Sequence, residues 1–127
     1  MKQQSGFTLI ELVMVIVILG ILAATAMPQF VNMKEEAAIA ALEGVAGGLN
    51  SANSINYAVR NLNAASGVAI ADCTDVENAL ATPLGAEFAI TASAIVAGNT
   101  GTCTITSTEV TATSASSSVS FIATGIN

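Results

Sequence analysis

The feature that most constrains this chain is an apolar run from Phe7 to Met27. It holds a single charge, Glu11, and no other strongly polar group appears before Gln29. As a helix rising about 1.5 Å per residue, such a run is long enough to cross the roughly 30 Å hydrocarbon core of a bilayer. Its only flanking cation is Lys2, in a leader that ends at Gly6. A carboxylate inside such a segment costs about 3 kcal/mol at mid-membrane on the insertion scale. Glu11 therefore needs a purpose that offsets this cost. Lys2 on the N-terminal side predicts a cytoplasmic N-terminus by the positive-inside bias, so the chain beyond Pro28 faces the other side.

About a hundred residues follow Pro28, enough for one small domain that benefits from a staple or from partners. Charged residues make up only 9% of the chain, as expected of a subunit whose surface is largely covered by copies of itself. The net charge is −6, and without Lys2 the only basic side chains are Lys34 and Arg60. Phosphate affinity comes mainly from lysine and arginine, so no nucleic-acid binding is expected.

The leader Met1-Lys2-Gln3-Gln4-Ser5-Gly6 and the segment Phe7 to Pro28 resemble the class III signal of type IV pilins and their pseudopilin relatives. Four features carry the resemblance: a short cationic leader ending in Gly6, Phe7 after it, Glu11 four residues on, and Pro28 closing the apolar run. The stretch from Gln29 to Leu49 is similar, more loosely, to pilins of the mannose-sensitive haemagglutinin type. The resemblance implies that a membrane prepilin peptidase cuts between Gly6 and Phe7 and methylates the new amine of Phe7. A glycine at the cut lets the backbone lie flat in a protease cleft, with no Cβ to clash. The new cation would lie one helical turn from Glu11. Inside a bundle of apolar helices, Glu11 can then pair with the Phe7 amine of a neighbouring copy. A slip in stagger would leave a buried charge unpaired, so the pair sets register as well as attraction. The competing reading of Glu11 is a carboxylate that snorkels to the nearby interface.

Two other readings of the N-terminus stand beside this one. Ala24-Thr25-Ala26 is a small-x-small site that ordinary signal peptidase could cut, releasing a secreted domain that begins at Met27. That reading leaves the length of the run, Glu11 and the Gly6-Phe7 junction unexplained. The other is an uncleaved anchor.

Apolar residues Ala38, Leu42, Val45, Leu49 and Ala52 recur at helical steps, and Ile55, Val59 and Leu62 extend the stripe. Glu36, Glu43, Asn50 and Asn53 fall on the opposite side. One long helix is predicted over about 7–61, roughly 80 Å long, apolar all round in its first half and amphipathic in its second. Pro28 is expected to kink or loosen it, and Gly20 to weaken it by about 1 kcal/mol relative to alanine. Gly44, Gly47, Gly48 and Ser51 form a small-residue patch that is either compositional drift or a place for close helix approach.

From Asn63 to Gly85 a connector is expected. Thr74-x-x-Glu77 is a candidate capping box for a short helical turn, and Thr82 to Gly85 a candidate turn. Glu87 to Val96 is a candidate strand, Gly98-Asn99-Thr100-Gly101 a hairpin turn, Thr102 to Ser107 a second strand, and Val119 to Ala123 a third. Thr111 to Ser120 is a hydroxyl-rich run suited to an exposed loop or edge. The expected fold is α+β, a long helix packed against a small antiparallel sheet. The divisions are a leader (1–6), a membrane or filament-core helix (7–28), its amphipathic half (29–62), and a connector with a β head (63–127).

Cys73 and Cys103 have no metal-motif spacing, and the chain has no histidine. In an exported protein they read as a disulfide worth about 3.5 kcal/mol in the chain-entropy model, against an alternative of two buried thiols. No catalytic constellation is present, and no cofactor is expected. Asp72, Asp75 and Glu77 lack the spacing and turn glycine of a calcium loop and read as a solvated acidic loop. The expected function is a structural subunit. It would lie in the inner membrane before assembly and at the cell surface afterwards. Its partners are other copies of itself, the prepilin peptidase and the membrane assembly machinery. A cytoplasmic ATPase would supply the energy, since this chain has no phosphate-binding loop. A type II secretion pseudopilin and a secreted or anchored binding domain are the alternatives. The candidate disulfide favours the pilus over the pseudopilus.

Overall fold

The structure is a computed structural model that describes residues 6–110 and 117–127, apart from the side chains at 31 and 32. Lys2 and most of the hydroxyl-rich run lie outside the described residues. The elements are α1 (Leu9–Leu62), a short 3-10 helix (Cys73–Ala79), β1 (Phe88–Ile90), β2 (Thr100–Ser107) and β3 (Ser118–Thr124). The chain forms two compact units, one ending at Lys34 and the other covering Glu35–Asn127.

In the first unit every residue from Gly6 to Phe30 is exposed. Its Leu, Ile, Val, Met and Ala side chains suit a helix that meets an apolar medium on all sides. Helical structure continues through Pro28, which cannot donate to the carbonyl of Ala24. Nearby, the Thr25 hydroxyl donates to the Leu22 carbonyl at 2.9 Å.

The second unit is an α+β head. β1, β2 and β3 form an antiparallel sheet in that order, with Ile90 opposite Ile105 and Cys103 opposite Phe121. Alternation along β2 and β3 turns Cys103, Ile105, Phe121 and Ala123 inward. They share a core with Leu42, Ala46 and Leu49 of α1 and with Ile70, Cys73, Val76 and Ile95.

The core-facing stripe of α1 follows the expected period only as far as Leu49. Beyond it the inward positions are Asn53 and Asn56, both buried, while Ile55 and Leu62 are exposed and Val59 is 37% exposed. The amides win these positions because they meet backbone that has no other partner. Asn50 Oδ1 accepts the Ile122 N–H at 2.7 Å, and Asn53 Oδ1 accepts the Thr124 N–H at 3.1 Å. Both donors lie on the outer edge of β3, which an apolar side chain would leave unsatisfied. Asn56 bridges Val68, accepting its N–H at 2.7 Å and donating to its carbonyl at 2.8 Å. Asn50 and Asn53, expected opposite the core stripe, thus turn towards the head.

The candidate strand from Glu87 to Val96 stops at Ile90 as a sheet member. Thr91 still donates to Thr104, but Ser93 and Ile95 pair with the connector, through Cys73 N–H to Ser93 O and Ile95 N–H to Ala71 O. The expected tight hairpin at 98–101 is replaced by this longer connection. It ends in a turn closed by Asn99 N–H to Val96 O, and Gly98 takes the positive φ of 81° that the turn needs. Gly125 lies so close to this turn that a Cβ there would collide with the Val96 carbonyl. The turn expected at Thr82 to Gly85 lies later, closed by Phe88 N–H to Gly85 O.

Candidate assembly site

Gly6 and Phe7 precede α1 in exposed, non-helical backbone. Thr8 caps the helix. Its hydroxyl oxygen accepts the Glu11 N–H at 3.4 Å, and Glu11 Oε2 accepts both the Thr8 N–H at 2.9 Å and the Thr8 hydroxyl at 2.7 Å. This reciprocal pattern is a capping box, in which two otherwise orphaned backbone donors at a helix start are satisfied by side chains. The carboxylate is also placed favourably at the positive end of the helix dipole. Sequence reasoning assigned Glu11 to a second chain and passed over Thr8. The signal was present, since Thr8-x-x-Glu11 before an apolar run is the capping-box pattern itself.

Gly20 lies in the exposed helix with open space where a Cβ would stand. Gly44, Gly47 and Gly48 likewise have open space at Cβ and are exposed, as is Ser51. Glu11, Gly20 and Pro28 thus lie in sequence along one helix and converge on no pocket.

The acidic loop has structural work. The capping box of the 3-10 helix is Asp72 with Asp75, two residues earlier than the Thr74-Glu77 box expected. Asp72 Oδ1 accepts the Thr74 N–H and hydroxyl, both at 3.0 Å, and the Ser93 N–H at 3.3 Å. Asp75 Oδ2 accepts the Ala71 and Asp72 N–H groups at 2.9 and 2.8 Å. The Thr74 N–H, above all, holds the Asp72 carboxyl below the usual carboxylate range; partial desolvation opposes it, and the Thr74 hydroxyl and Ser93 N–H assist. Cys73 and Cys103 form a disulfide with Cα atoms 5.6 Å apart, tying the start of the 3-10 helix to the central strand.

Comparison with known proteins gives this geometry a context. Residues 1–27 match the family model described as the prokaryotic N-terminal methylation motif. The chain therefore carries the N-terminal segment of the type IV pilin and pseudopilin family. Its relatives include the type II secretion system core protein G of Pseudomonas aeruginosa, 51% identical over 43 residues, covering 34% of this chain and 30% of that protein. The type IV narrow pilus major component PilA5 of Thermus thermophilus is 50% identical over 50 residues, covering 39% and 43%. The fimbrial protein EcpC of Eikenella corrodens is 41% identical over 70 residues, covering 52% and 46%. The matched stretch spans less than half the length of each of these relatives. No solved structure matches.

Proposed function

We propose that this chain is a structural, non-enzymatic subunit of a type IV pilus. It is cut between Gly6 and Phe7 by a prepilin peptidase, methylated at Phe7, and polymerised through its N-terminal helix into a surface filament. The observation that carries this reading is an apolar helix, exposed along its whole first half, that opens on a capped carboxylate inside a methylation motif. By length and composition α1 can cross a membrane. An apolar surface of this kind demands either lipid or other helices, and a filament core supplies the second after the first. The exposed non-helical junction at Gly6-Phe7 supports cleavage there. Glu11 pairs with the Phe7 amine of the copy added before it, which removes both charges from the helix bundle together.

A second reading has an observation of its own. A 43-residue match is to a secretion-system core protein. A pseudopilin would use the same processing and the same helix, in a short piston rather than a long filament. The intact mass and N-terminal residue of protein sheared from the cell surface separate these readings. A chain starting at methylated Phe7 in filaments is expected. The same mature chain confined to the inner membrane favours the pseudopilin, and a soluble protein starting at Met27 ends both.

A further inference from the structure

We infer that the Cys73–Cys103 disulfide is made while the head is still open, by a thiol–disulfide oxidoreductase that takes unfolded chain, and that closure then shuts it away. The inference goes beyond the assembly reading and holds equally for a pilus subunit and for a pseudopilin. Cys73 is 0% exposed and Cys103 1%. Both belong to the head core, with Val76, Ile105 and Phe121. Cys103 stands on the central strand opposite Phe121. Cys73 opens the 3-10 helix, and its N–H donates to the Ser93 carbonyl at 3.0 Å. The Ile95 N–H holds the same segment down by donating to the Ala71 carbonyl at 2.7 Å. The Ile95 side chain in turn lies over Gly101, two residues from Cys103, 3.1 Å from where a Cβ would stand.

Thiol–disulfide exchange needs a thiolate to reach a disulfide sulfur. The closed head offers neither of its sulfurs, and an incoming thiolate would have to shed its water to enter the apolar core. The same barrier faces the forward reaction, because the two thiols of a closed, reduced head lie in that core as well. An open chain removes it. The thiolate of one cysteine attacks the carrier's disulfide and forms a mixed disulfide. The second thiolate then attacks that bond and releases the carrier as a dithiol. Two thiols are oxidised, one disulfide is reduced, and two protons pass to the carrier's sulfurs. Two cysteines allow a single pairing, so the chain needs an oxidant and no reshuffling. Once the core packs around the bond, a thiol reductant acts only through the fraction of time that the head stands open.

The full chain in detergent tests this with dithiothreitol and oxidised glutathione, read by alkylation and intact mass. Dithiothreitol should cleave the disulfide of the folded chain on the order of a hundredfold more slowly than that of the same chain in guanidinium. Leu49→Ala loosens the head without altering either cysteine and should speed cleavage in the folded chain about tenfold or more. Leu19→Ala, in the first unit, should leave the rate unchanged. Given oxidised glutathione, the reduced chain should form a mixed disulfide readily in guanidinium and on the order of a hundredfold more slowly after refolding. A reduced chain that does not refold at all supports the same order of events, since only oxidised chain then closes. Equal cleavage rates in folded and denatured chain would overturn the inference. So would a folded-chain rate that Leu49→Ala leaves unchanged, or a refolded reduced head that takes up glutathione as fast as denatured chain. None of these readouts depends on filament yield, so the assembly reading stands or falls separately.

Discussion

The two halves of α1 treat polar groups in opposite ways. In the first half one carboxylate stands among exposed apolar side chains, and its partner among the described residues is Thr8, three residues away. In the second half three asparagines, Asn50, Asn53 and Asn56, turn to the head, and their partners Ile122, Thr124 and Val68 lie 72, 71 and 12 residues away. The difference teaches what each half is for. On the proposed reading, a segment that leaves lipid to meet other helices carries its satisfied polar group with it. A segment that anchors a sheet uses polar groups to hold that sheet in register.

The disulfide sharpens the contrast most, since it staples only the head. Reduction of Cys73–Cys103 should destabilise the head by about 3.5 kcal/mol in the chain-entropy model, read by chemical denaturation of the detergent-solubilised chain. Leu49 is fully buried, whereas Leu19 is 58% exposed. Leu49→Ala should therefore cost about 3 kcal/mol in the same assay and Leu19→Ala almost nothing. Equal effects would erase the distinction between the halves.

The amides come next. Asn53→Ala removes a buried amide and orphans the half-buried edge donor of Thr124, and should cost about 2 kcal/mol; Asn50→Ala, at a half-buried position, should cost about 1 kcal/mol. Faster hydrogen exchange at Thr124 in the first variant, but not at the β2-facing amides, would show that the loss is at the edge. The smallest effect concerns Asp72. Its carboxyl is held low in the folded head, so its contribution is present above the unfolded value of about 3.9 and fades as pH falls through the lower folded value. Asp72→Asn keeps a cap and removes the charge. It should flatten the decline in head stability below about pH 4, with an unchanged curve in the variant counting against that assignment.

Most of the first half was legible from the residues, because an apolar run with one acid leaves few alternatives. The stripe through Leu42 and Leu49 was legible too, since helical period and burial agree there. The period then misled. Ile55, Val59 and Leu62 continue it on paper, yet the Cα path brings Asn50, Asn53 and Asn56 to the unpaired backbone of β3 and the connector. Hydropathy patterns register apolar demand and are blind to an edge donor waiting for an amide. The candidate strand beyond Ile90 failed for a related reason: Ser93 and Ile95 found their partners at Cys73 and Ala71 in the connector rather than on β2. Of the site, the sequence singles out Glu11 as a charge in need of a partner and leaves its capping partner Thr8 unread.

The covered edge of β3 has one more consequence. An open strand edge is a template for adding strands, and proteins held at high local concentration must close it or risk fusing through it. Here amides from α1 seal one side, and on the other β1 has only Phe88–Ile90 before the backbone bends away to Asp72. Such a sheet offers a newcomer no long rail on either flank. In the proposed filament, copies of this head would crowd together without knitting into a common sheet, leaving their order to the helices.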